Sequence, residues 1–418
     1  MKKVFTVILA MLLLCCMVFA ETEPVVTYDS IDFTFHPTVA RYDAMGQAGI
    51  SNVRKLSSFY TNPSLLGLSR GFGIAVPSVG VTVYNVQPIM SDEQAMNNFY
   101  AMIGGDSDAA LPFFTQYLEN LGRNHNMVTK IDAGIGVQLG VLGLGTDIQI
   151  KIHTLNEGTS IASQSVIPEL NAAQTIALGL KVIDTDGLSL SAGVSVHGIY
   201  KAYFKGIAGP KVLELVNGGD VQTTLLWQTP VMAGWAIPVD VGVTLGLLNN
   251  SLTIGATANN LNGTYHMQSF SGLGFTVNSI SEGAIPQPEG VEPKESVRFD
   301  METPWTLNFG ATFAPDIIFH PVVTADLIDM YQMVKEFNKD DFRAEDLLLH
   351  LNAGAELSFL GVLKVRAGVN RGFMSVGAGL WLPLVQIDAA YGWQEFGAEL
   401  GDKTVDAFTI RVSIGYDK

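Results

Sequence analysis

The sequence predicts an all-β fold, a transmembrane antiparallel β-barrel of about 14 strands. Apolar and polar residues alternate in most segments from residue 130 to the C-terminus. Short turn sequences tend to alternate with long connections, as in outer-membrane barrels. After the first twenty residues, no stretch reaches the roughly 20 apolar residues that a membrane helix needs. If the chain sits in a membrane, strands must do the spanning.

The segments 130–139, 187–201 and 361–369 illustrate the alternation. Side chains of a strand point to opposite faces in turn, so each segment has one aliphatic face and one polar or charged face. A lysine or arginine that faced lipid at mid-membrane would cost about 2–4 kcal/mol. We therefore expect the charged faces to line the interior and the aliphatic faces to contact lipid.

The strand boundaries follow from this pattern and from the turn residues between the segments. We expect strands at 71–87, 130–139, 143–153, 172–183, 187–201, 226–247, 252–262, 305–314, 317–327, 349–358, 361–369, 374–382, 385–394 and 405–416. The even number places both ends of the barrel on the periplasmic side. Segment 226–247 is ambiguous, because it is long for one strand and contains Pro230 and Pro238.

Helical insertions and long loops are expected on one rim. Residues 91–122 have apolar residues at helical spacing, and Ser91 with Gln94 resembles a capping box. A second helical stretch is expected at 324–338, and an acidic, proline-bearing loop at 282–304 should be solvated. Trp227, Trp305, Tyr391, Trp393 and Tyr416 lie near strand ends, where an aromatic girdle is expected.

The first twenty residues are predicted to be a signal peptide, because Lys2 and Lys3 precede an apolar run and a small-residue cleavage site. Cys15 and Cys16, the only cysteines, lie within it, so a lipoprotein cleavage site is an open alternative. Removal of the two lysines changes the formal charge from −16 to −18. This acidity argues against nucleic-acid binding. The expected location is the outer membrane of a diderm bacterium.

Two segments resemble a known family. The stretches 40–49 and 59–67, the second containing Asn62-Pro63-Ser64, resemble the N-terminal plug signature of the FadL-like outer-membrane transporters, with Ser64 in place of an alanine. Residues 325–329, 350–356 and 366–368 resemble a branch of the same superfamily that includes the barrel component of a secretion system. The resemblance implies a 14-stranded barrel whose N-terminal segment folds inside as a hatch.

This resemblance divides the chain into a signal peptide at 1–20, a hatch at 21–70 and a barrel at 71–418. It also implies a hatch motif, formed by Arg41, Gly46, Asn62, Pro63 and Ser64. The alternative for Asn62-Pro63 is a purely structural role, in which the asparagine caps a turn and the proline fixes its φ angle.

Cations on the polar faces are the candidate lumen contacts for a substrate carboxylate: Lys130, Lys364, Arg366 and Arg411. Alternatively, such cations only pair with Asp132, Asp147, Glu356 and Asp388 to hold a filled barrel together. A candidate apolar patch at the outer rim is formed by Phe99, Met102, Phe113, Phe114 and Leu118.

The sequence contains none of the enzyme motifs sought: no His-Glu-x-x-His, no phosphate loop and no Gly-x-Ser-x-Gly elbow. The seven histidines are scattered, so we expect no metal site and no cofactor. The leading hypothesis is passive uptake of hydrophobic molecules by a barrel favoured to be monomeric in the lipid bilayer. Long-chain fatty acids are the ligand that the resemblance implies. The open alternatives are an interaction barrel, acting as a secretion partner or adhesin, and then a general porin.

Overall fold

Fourteen antiparallel strands form a closed ring in the computed structural model of this protein. The structure describes residues 40–53, 56, 58–69, 71–121, 124–156, 161–216, 223–281, 285–337, 344–395, 400–401 and 404–417. The signal peptide predicted at 1–20 therefore lies outside the described residues.

The strands are β1 (Phe72–Tyr84), β2 (Asn124–Leu139), β3 (Leu142–Asn156), β4 (Gln164–Thr185), β5 (Leu188–Phe204), β6 (Ile207–Ala208), β7 (Val231–Ala236), β8 (Val239–Leu247), β9 (Leu252–Leu261), β10 (Thr264–Phe270), β11 (Arg298–Glu302), β12 (Thr306–Phe313), β13 (Val322–Leu327), β14 (Leu351–Phe359), β15 (Leu363–Asn370), β16 (Phe373–Trp381), β17 (Val385–Glu395) and β18 (Thr404–Asp417). Neighbouring strands of the ring pair in the order β1-β2-β3-β4-β5-β8-β9-β12-β13-β14-β15-β16-β17-β18.

The ring is closed by pairing of the first strand with the last. Val81 of β1 lies opposite Ile410 of β18 on one side and opposite Ile131 of β2 on the other. Closure removes the free sheet edges that would otherwise expose unpaired backbone groups. The predicted count of 14 strands in the ring is confirmed.

The ambiguous segment 226–247 forms two strands that occupy one position in the ring. Both β7 and β8 pair with β5, and Pro238, which has no N–H to donate, lies in the break between them. Residues 224–228 are a π-helical turn and not part of a strand, contrary to the prediction.

The wall rises higher on one side than the sequence predicted. Strand β7 pairs with the last residues of β5, β10 pairs with β7, and β11 pairs with β10. Strand β6 pairs with the start of β4. The sequence predicted no strand between 252–262 and 305–314, and this was wrong at 264–270 and 298–302, where tertiary pairing stabilises short strands. Residues 285–297 are irregular and mostly exposed, as expected for the acidic loop.

The helices are α1 (Ala40–Ala44), α2 (Ser58–Thr61), α3 (Val86–Ser91), α4 (Glu93–Gly104), α5 (Ala110–Asn120), α6 (Gly209–Val216), α7 (Leu273–Ile280) and α8 (Met330–Phe337), and 3₁₀ turns lie at Pro63–Gly67, Ser107–Ala109, Ile161–Ser163 and Ala344–His350. Asp92, not the predicted Ser91, caps α4, accepting from the backbone N–H groups of Gln94 and Ala95. The second predicted helix begins at Met330, because residues 322–327 pair as β13. No helix in the described part of the chain is long and apolar enough to cross a membrane.

The two faces of the wall differ as predicted. On β15, the side chain of Val365 is 45% exposed on the outside, whereas Lys364 and Arg366 are 8% and 2% exposed on the inside. Two predictions about the rims were wrong. Residues 317–321 form a turn, where Ile317 accepts from the His320 N–H, and Trp227 is buried against Phe275 and does not join a girdle.

Candidate functional site

The ring encloses an inner segment, which we define as the described residues between 40 and 69. Glycines on the inward faces of strands all round the ring make room for it, because a β-carbon at each would meet an atom of this segment. These glycines are Gly143, Gly179, Gly193, Gly255, Gly354, Gly368 and Gly377. A segment in contact with the inner faces of β3, β4, β5, β9 and β14–β16 lies within the lumen.

Asn62 is the centre of a polar turn in the inner segment. Its side-chain oxygen accepts from the Ser64 N–H at 3.1 Å, and its amide donates to the Ile50 carbonyl at 3.0 Å. Pro63 then begins the 3₁₀ turn, a position where a missing N–H costs nothing. The capped turn that the sequence analysis gave as the alternative for Asn62-Pro63 is therefore present.

The same turn is bound to the wall. The Ser64 hydroxyl lies 2.6 Å from the Thr244 hydroxyl of β8, and the Ser191 hydroxyl of β5 donates to the Ser64 carbonyl at 2.6 Å. Asn62 and Ser64 are fully buried, so each of these hydrogen bonds satisfies a polar group that has no access to bulk water.

A second anchor holds residues 46–51. Asp326 of β13 accepts from the backbone N–H groups of Gly49 and Ile50, at 2.6 and 3.0 Å. The Gly46 N–H donates to the Ser375 hydroxyl at 3.0 Å. Gly46 has a φ of +63°, and a β-carbon there would overlap the Val369 carbonyl, so only glycine fits this position.

Arg41 joins the inner segment to an ion-pair chain on the wall. Its Nε donates to Glu356 at 2.8 Å, and Arg366 donates to the same carboxylate at 2.7 Å and to Asp388 at 2.5 Å. Arg41, Glu356 and Arg366 are at most 3% exposed. Burial alone lowers the pKa of Arg41, but the pairing with Glu356 raises it above its ordinary value, so this guanidinium stays charged.

The predicted lumen cations lie on the inside of the wall but are engaged with protein groups. Arg411 pairs with Asp132, as Arg366 does with Glu356 and Asp388. Lys364 donates to the Ser358 hydroxyl and lies over the Trp381 ring. These contacts agree with the alternative in which the cations hold a filled barrel together. Contact with a substrate stays a prediction.

Three anchors were missed by sequence reasoning, namely Asp326, Thr244 and Tyr60. The Tyr60 hydroxyl donates to Asp147 at 2.7 Å, so this carboxylate binds the inner segment and not a lumen cation. Each of the two wall residues, Asp326 and Thr244, stands on the inward face of an alternating strand. The signal for an inward polar residue was present, but nothing in the sequence pairs it with a partner some 200 residues away.

A small polar cavity lies between the inner segment and β1, β2 and β15–β18. Its volume is about 40 Å³, room for about three water molecules. Asp43 and Gln47 of the inner segment and Lys130 of β2 are among its lining residues. Burial raises the pKa of Asp43, while Lys130 and Arg411 oppose the shift. A hydrocarbon chain does not fit this cavity unless the inner segment moves.

An apolar cluster covers the inward face at the top of the high wall. We call it the methionine cluster, and its buried members include Met267, Met301, Tyr203 and Tyr265, with the half-buried Met232 packed against them. Unbranched methionine side chains repack readily around foreign apolar groups. Lys201 lies between Ile199 and Tyr203 of this cluster. It forms a fully buried ion pair with Glu169, the ammonium 2.7 Å from the carboxylate, and contacts the Tyr265 ring at 5.5 Å.

The predicted rim patch is divided between two environments. Phe113 and Leu118 of α5 are 5% and 6% exposed, because they pack with Ile152 and Val166 of the wall. Phe99, Met102 and Phe114 are only partly buried at the edge of this packing. The first pair therefore holds the helices to the barrel, and the other three residues remain accessible.

The chain is similar in structure to several solved barrels. The toluene transporter TodX of Pseudomonas putida is 13% identical, with coverage of 92% of this chain and 98% of that one and a TM-score of 0.46. The toluene transporter TbuX of Ralstonia pickettii is 14% identical, covering 92% and 99%, with a TM-score of 0.46. A FadL homologue from Pseudomonas aeruginosa is 13% identical, covering 91% and 98%, with a TM-score of 0.45. No family model and no curated protein matches the chain.

Proposed function

We propose that this protein is an outer-membrane barrel that takes up hydrophobic molecules passively, with the inner segment acting as a hatch. The single observation that carries the proposal is the filled lumen. The inner segment, held by Asp326, Thr244 and Glu356, fills the lumen of a ring whose outer face is apolar. A ring built to conduct small solutes at all times would not be filled in this way.

The hatch is held by many polar contacts and by a small apolar cluster, in which Phe59 and Leu66 pack on Ala177 of β4. Hydrogen bonds and ion pairs between two surfaces can be exchanged for contacts with water when the surfaces separate, whereas separated apolar surfaces lose about 25 cal/mol for each Å² exposed. The many serine, threonine and asparagine contacts of residues 46–64 therefore suit a segment that shifts and returns.

The accessible rim residues supply a surface for an apolar ligand, and the buried methionine cluster would supply a second one by repacking. Phe99, Met102 and Phe114 would collect the ligand outside, and the methionine cluster would receive it at the top of the lumen. Moving about 15 methylenes out of water gains roughly 12 kcal/mol, at about 0.8 kcal/mol for each. A long-chain fatty acid therefore gains more from apolar surfaces than from a water-filled pore, and we propose it as the ligand.

The test uses uptake of labelled oleate by cells that carry the barrel in the outer membrane. The variant Asn62→Ala with Pro63→Ala removes the centre of the polar turn and should reduce uptake. Thr185→Ala, in an exposed turn far from the hatch, is the matched control and should not. Unchanged uptake by the double variant, in a correctly inserted barrel, would count against the proposal.

The two alternative functions predict different experimental results. A general porin predicts steady single-channel conductance in planar bilayers, which a filled ring should lack. An interaction barrel predicts that stoichiometric protein partners, and no lipid, accompany the purified protein. A fatty acid extracted from the purified barrel would favour transport over both.

A further inference from the structure

Three neighbouring turns on the short-turn rim are apolar. They connect β12 to β13, β14 to β15 and β16 to β17, and we call them the apolar turns. Their most exposed apolar side chains are Ile318 at 79%, Leu360 at 99% and Leu384 at 64%. The β4–β5 turn across the ring differs, since it contains Asp184 and Asp186.

The apolar turns form one surface. The Phe319 and Phe359 rings lie 5.1 Å apart, and the Ser358 N–H donates to the Phe319 carbonyl at 2.7 Å, which folds the first turn onto the second. The Trp381 N–H donates to the Val362 carbonyl at 2.8 Å, which joins the second turn to the third. The surface is continuous with the exposed aliphatic rows on the strands above it.

The strands above these turns are short. From Trp305 to Phe313, eight residues at about 3.4 Å each and a tilt of about 40° span about 21 Å, against an apolar band of about 25 Å in membrane barrels. Trp305 stacks on Tyr331 at 5.2 Å, and such aromatic residues mark the upper membrane interface. The last few ångströms of the band must come from the turn below Phe313.

The span along β17 is equally short. Trp393, at its long-loop end, is also eight residues from Val385, which follows Leu384 of the third apolar turn. On the other side of the ring, the outward row from Leu170 to Val182 of β4 spans about 31 Å by the same measure, so the band there fits within the strand. Its turn needs no apolar residues, and it has none at Asp184–Asp186.

We propose that the apolar turns are immersed in the lipid of the inner leaflet, while the β4–β5 turn stands in water. This inference rests on the membrane location proposed above. The side chains of Asp316 and His320 in these turns, 3.1 Å apart, are 93% and 66% exposed and would lie among the lipid headgroups. Charges at that level cost only about 0–1 kcal/mol. A lipid occupant fits because the exposed apolar side chains of the turns continue the lipid-facing rows of the strands.

The test uses single cysteines labelled with bimane in liposomes that contain brominated phosphatidylcholine. Outside the predicted signal peptide the chain has no cysteine, so each label is unique. Ile318→Cys and Leu384→Cys probe the apolar turns, Asp186→Cys probes the opposite turn, and Leu357→Cys probes the outward face of β14. We expect bromolipid to cause a loss of emission at 318, 384 and 357, and no loss at 186.

The four positions separate the two claims. No loss of emission at 357 would overturn the membrane location itself. A loss at 357 without one at 318 and 384, with both turns instead quenched by aqueous iodide, would overturn the immersion of the turns and leave the membrane location standing. Equal quenching of all four by bromolipid would contradict the difference between the two sides.

Discussion

The guanidinium of Arg41 donates to the carboxylate of Glu356 at 2.8 Å, across 315 residues of sequence. Both side chains are buried, so the pair fixes the start of the inner segment to β14. Because Glu356 also binds Arg366, removal of the two partners has unequal consequences.

Arg41→Ala leaves Glu356 paired with Arg366 and should cost about 1–3 kcal/mol. Glu356→Ala leaves two buried guanidinium groups and should cost about 3–5 kcal/mol. Urea unfolding of the barrel in vesicles, followed by tryptophan fluorescence, measures both. Lys181→Ala breaks a pair with Asp184, whose side chain is 63% exposed, and should change little. Equal losses for Arg41→Ala and Glu356→Ala would contradict the shared carboxylate.

Gly193→Ala should displace the inner segment, because a β-carbon there would overlap the backbone of Pro63 and Ser64. We expect faster proteolysis within residues 58–69 and higher conductance in planar bilayers. Gly198→Ala on the same strand is the control, since its β-carbon would lie 4.0 Å from the nearest atom, the Gln174 carbonyl oxygen. Wild-type conductance and protection in Gly193→Ala would argue that the segment is not seated where we describe it.

Asp326→Ala should expose the backbone of the inner segment to solvent. The carboxylate accepts from the Gly49 and Ile50 N–H groups, and buried donors left unsatisfied cost about 1–3 kcal/mol. Hydrogen–deuterium exchange of the peptides that contain residues 46–53 should be faster in this variant, with no change in β4 or β5. Slow exchange at these amides in the variant would exclude Asp326 as their anchor.

The raised pKa of Asp43 predicts a pH dependence. Its ordinary value is 3.8, and burial raises it in the folded barrel. Between the ordinary and the raised pKa the folded state holds the Asp43 proton and the unfolded state does not. The contribution of Asp43 to stability therefore falls as pH rises through this window and does not change above it. Asp43→Asn should remove this fall. The free energy of unfolding measured from pH 3 upward tests it, and an identical slope in the variant would contradict the assignment.

Phe113 and Phe114 should behave differently although they are adjacent. Phe113→Ala removes a buried side chain between α5 and the wall and should destabilise the barrel by about 3–5 kcal/mol. Phe114→Ala should have a smaller effect on unfolding but lower the rate of oleate capture at low concentration. If capture is unchanged in Phe114→Ala and in Phe99→Ala, the accessible rim residues do not bind the ligand.

The barrel itself was predictable because its signal is local. Two-residue alternation fixes which face of β15 is charged, and turn residues fix where hairpins end, so all fourteen ring positions follow from nearby sequence. The segment 263–303 shows the limit of this reasoning. Strands of five to seven residues such as β10 and β11 form there only because β7 offers an edge to β10, and β10 offers one to β11.

The site was predictable only in part. The cap at Asn62 is a contact between residues two apart, so local chemistry reveals it. Asp326 is 277 residues from its partner Gly49, and Thr244 is 180 residues from its partner Ser64. No local pattern specifies these contacts. Arg41 was chosen from the resemblance, and its partner Glu356 was assigned to the lumen cations instead.

Movement of the inner segment is the central claim, and a reversible crosslink tests it most directly. The hydroxyls of Ser51 and Thr312 lie 2.8 Å apart, so Ser51→Cys with Thr312→Cys places two thiols within bonding reach. We expect oleate uptake to stop when this pair is oxidised and to return when it is reduced. Equal uptake in the oxidised and reduced barrels would contradict hatch-gated passage.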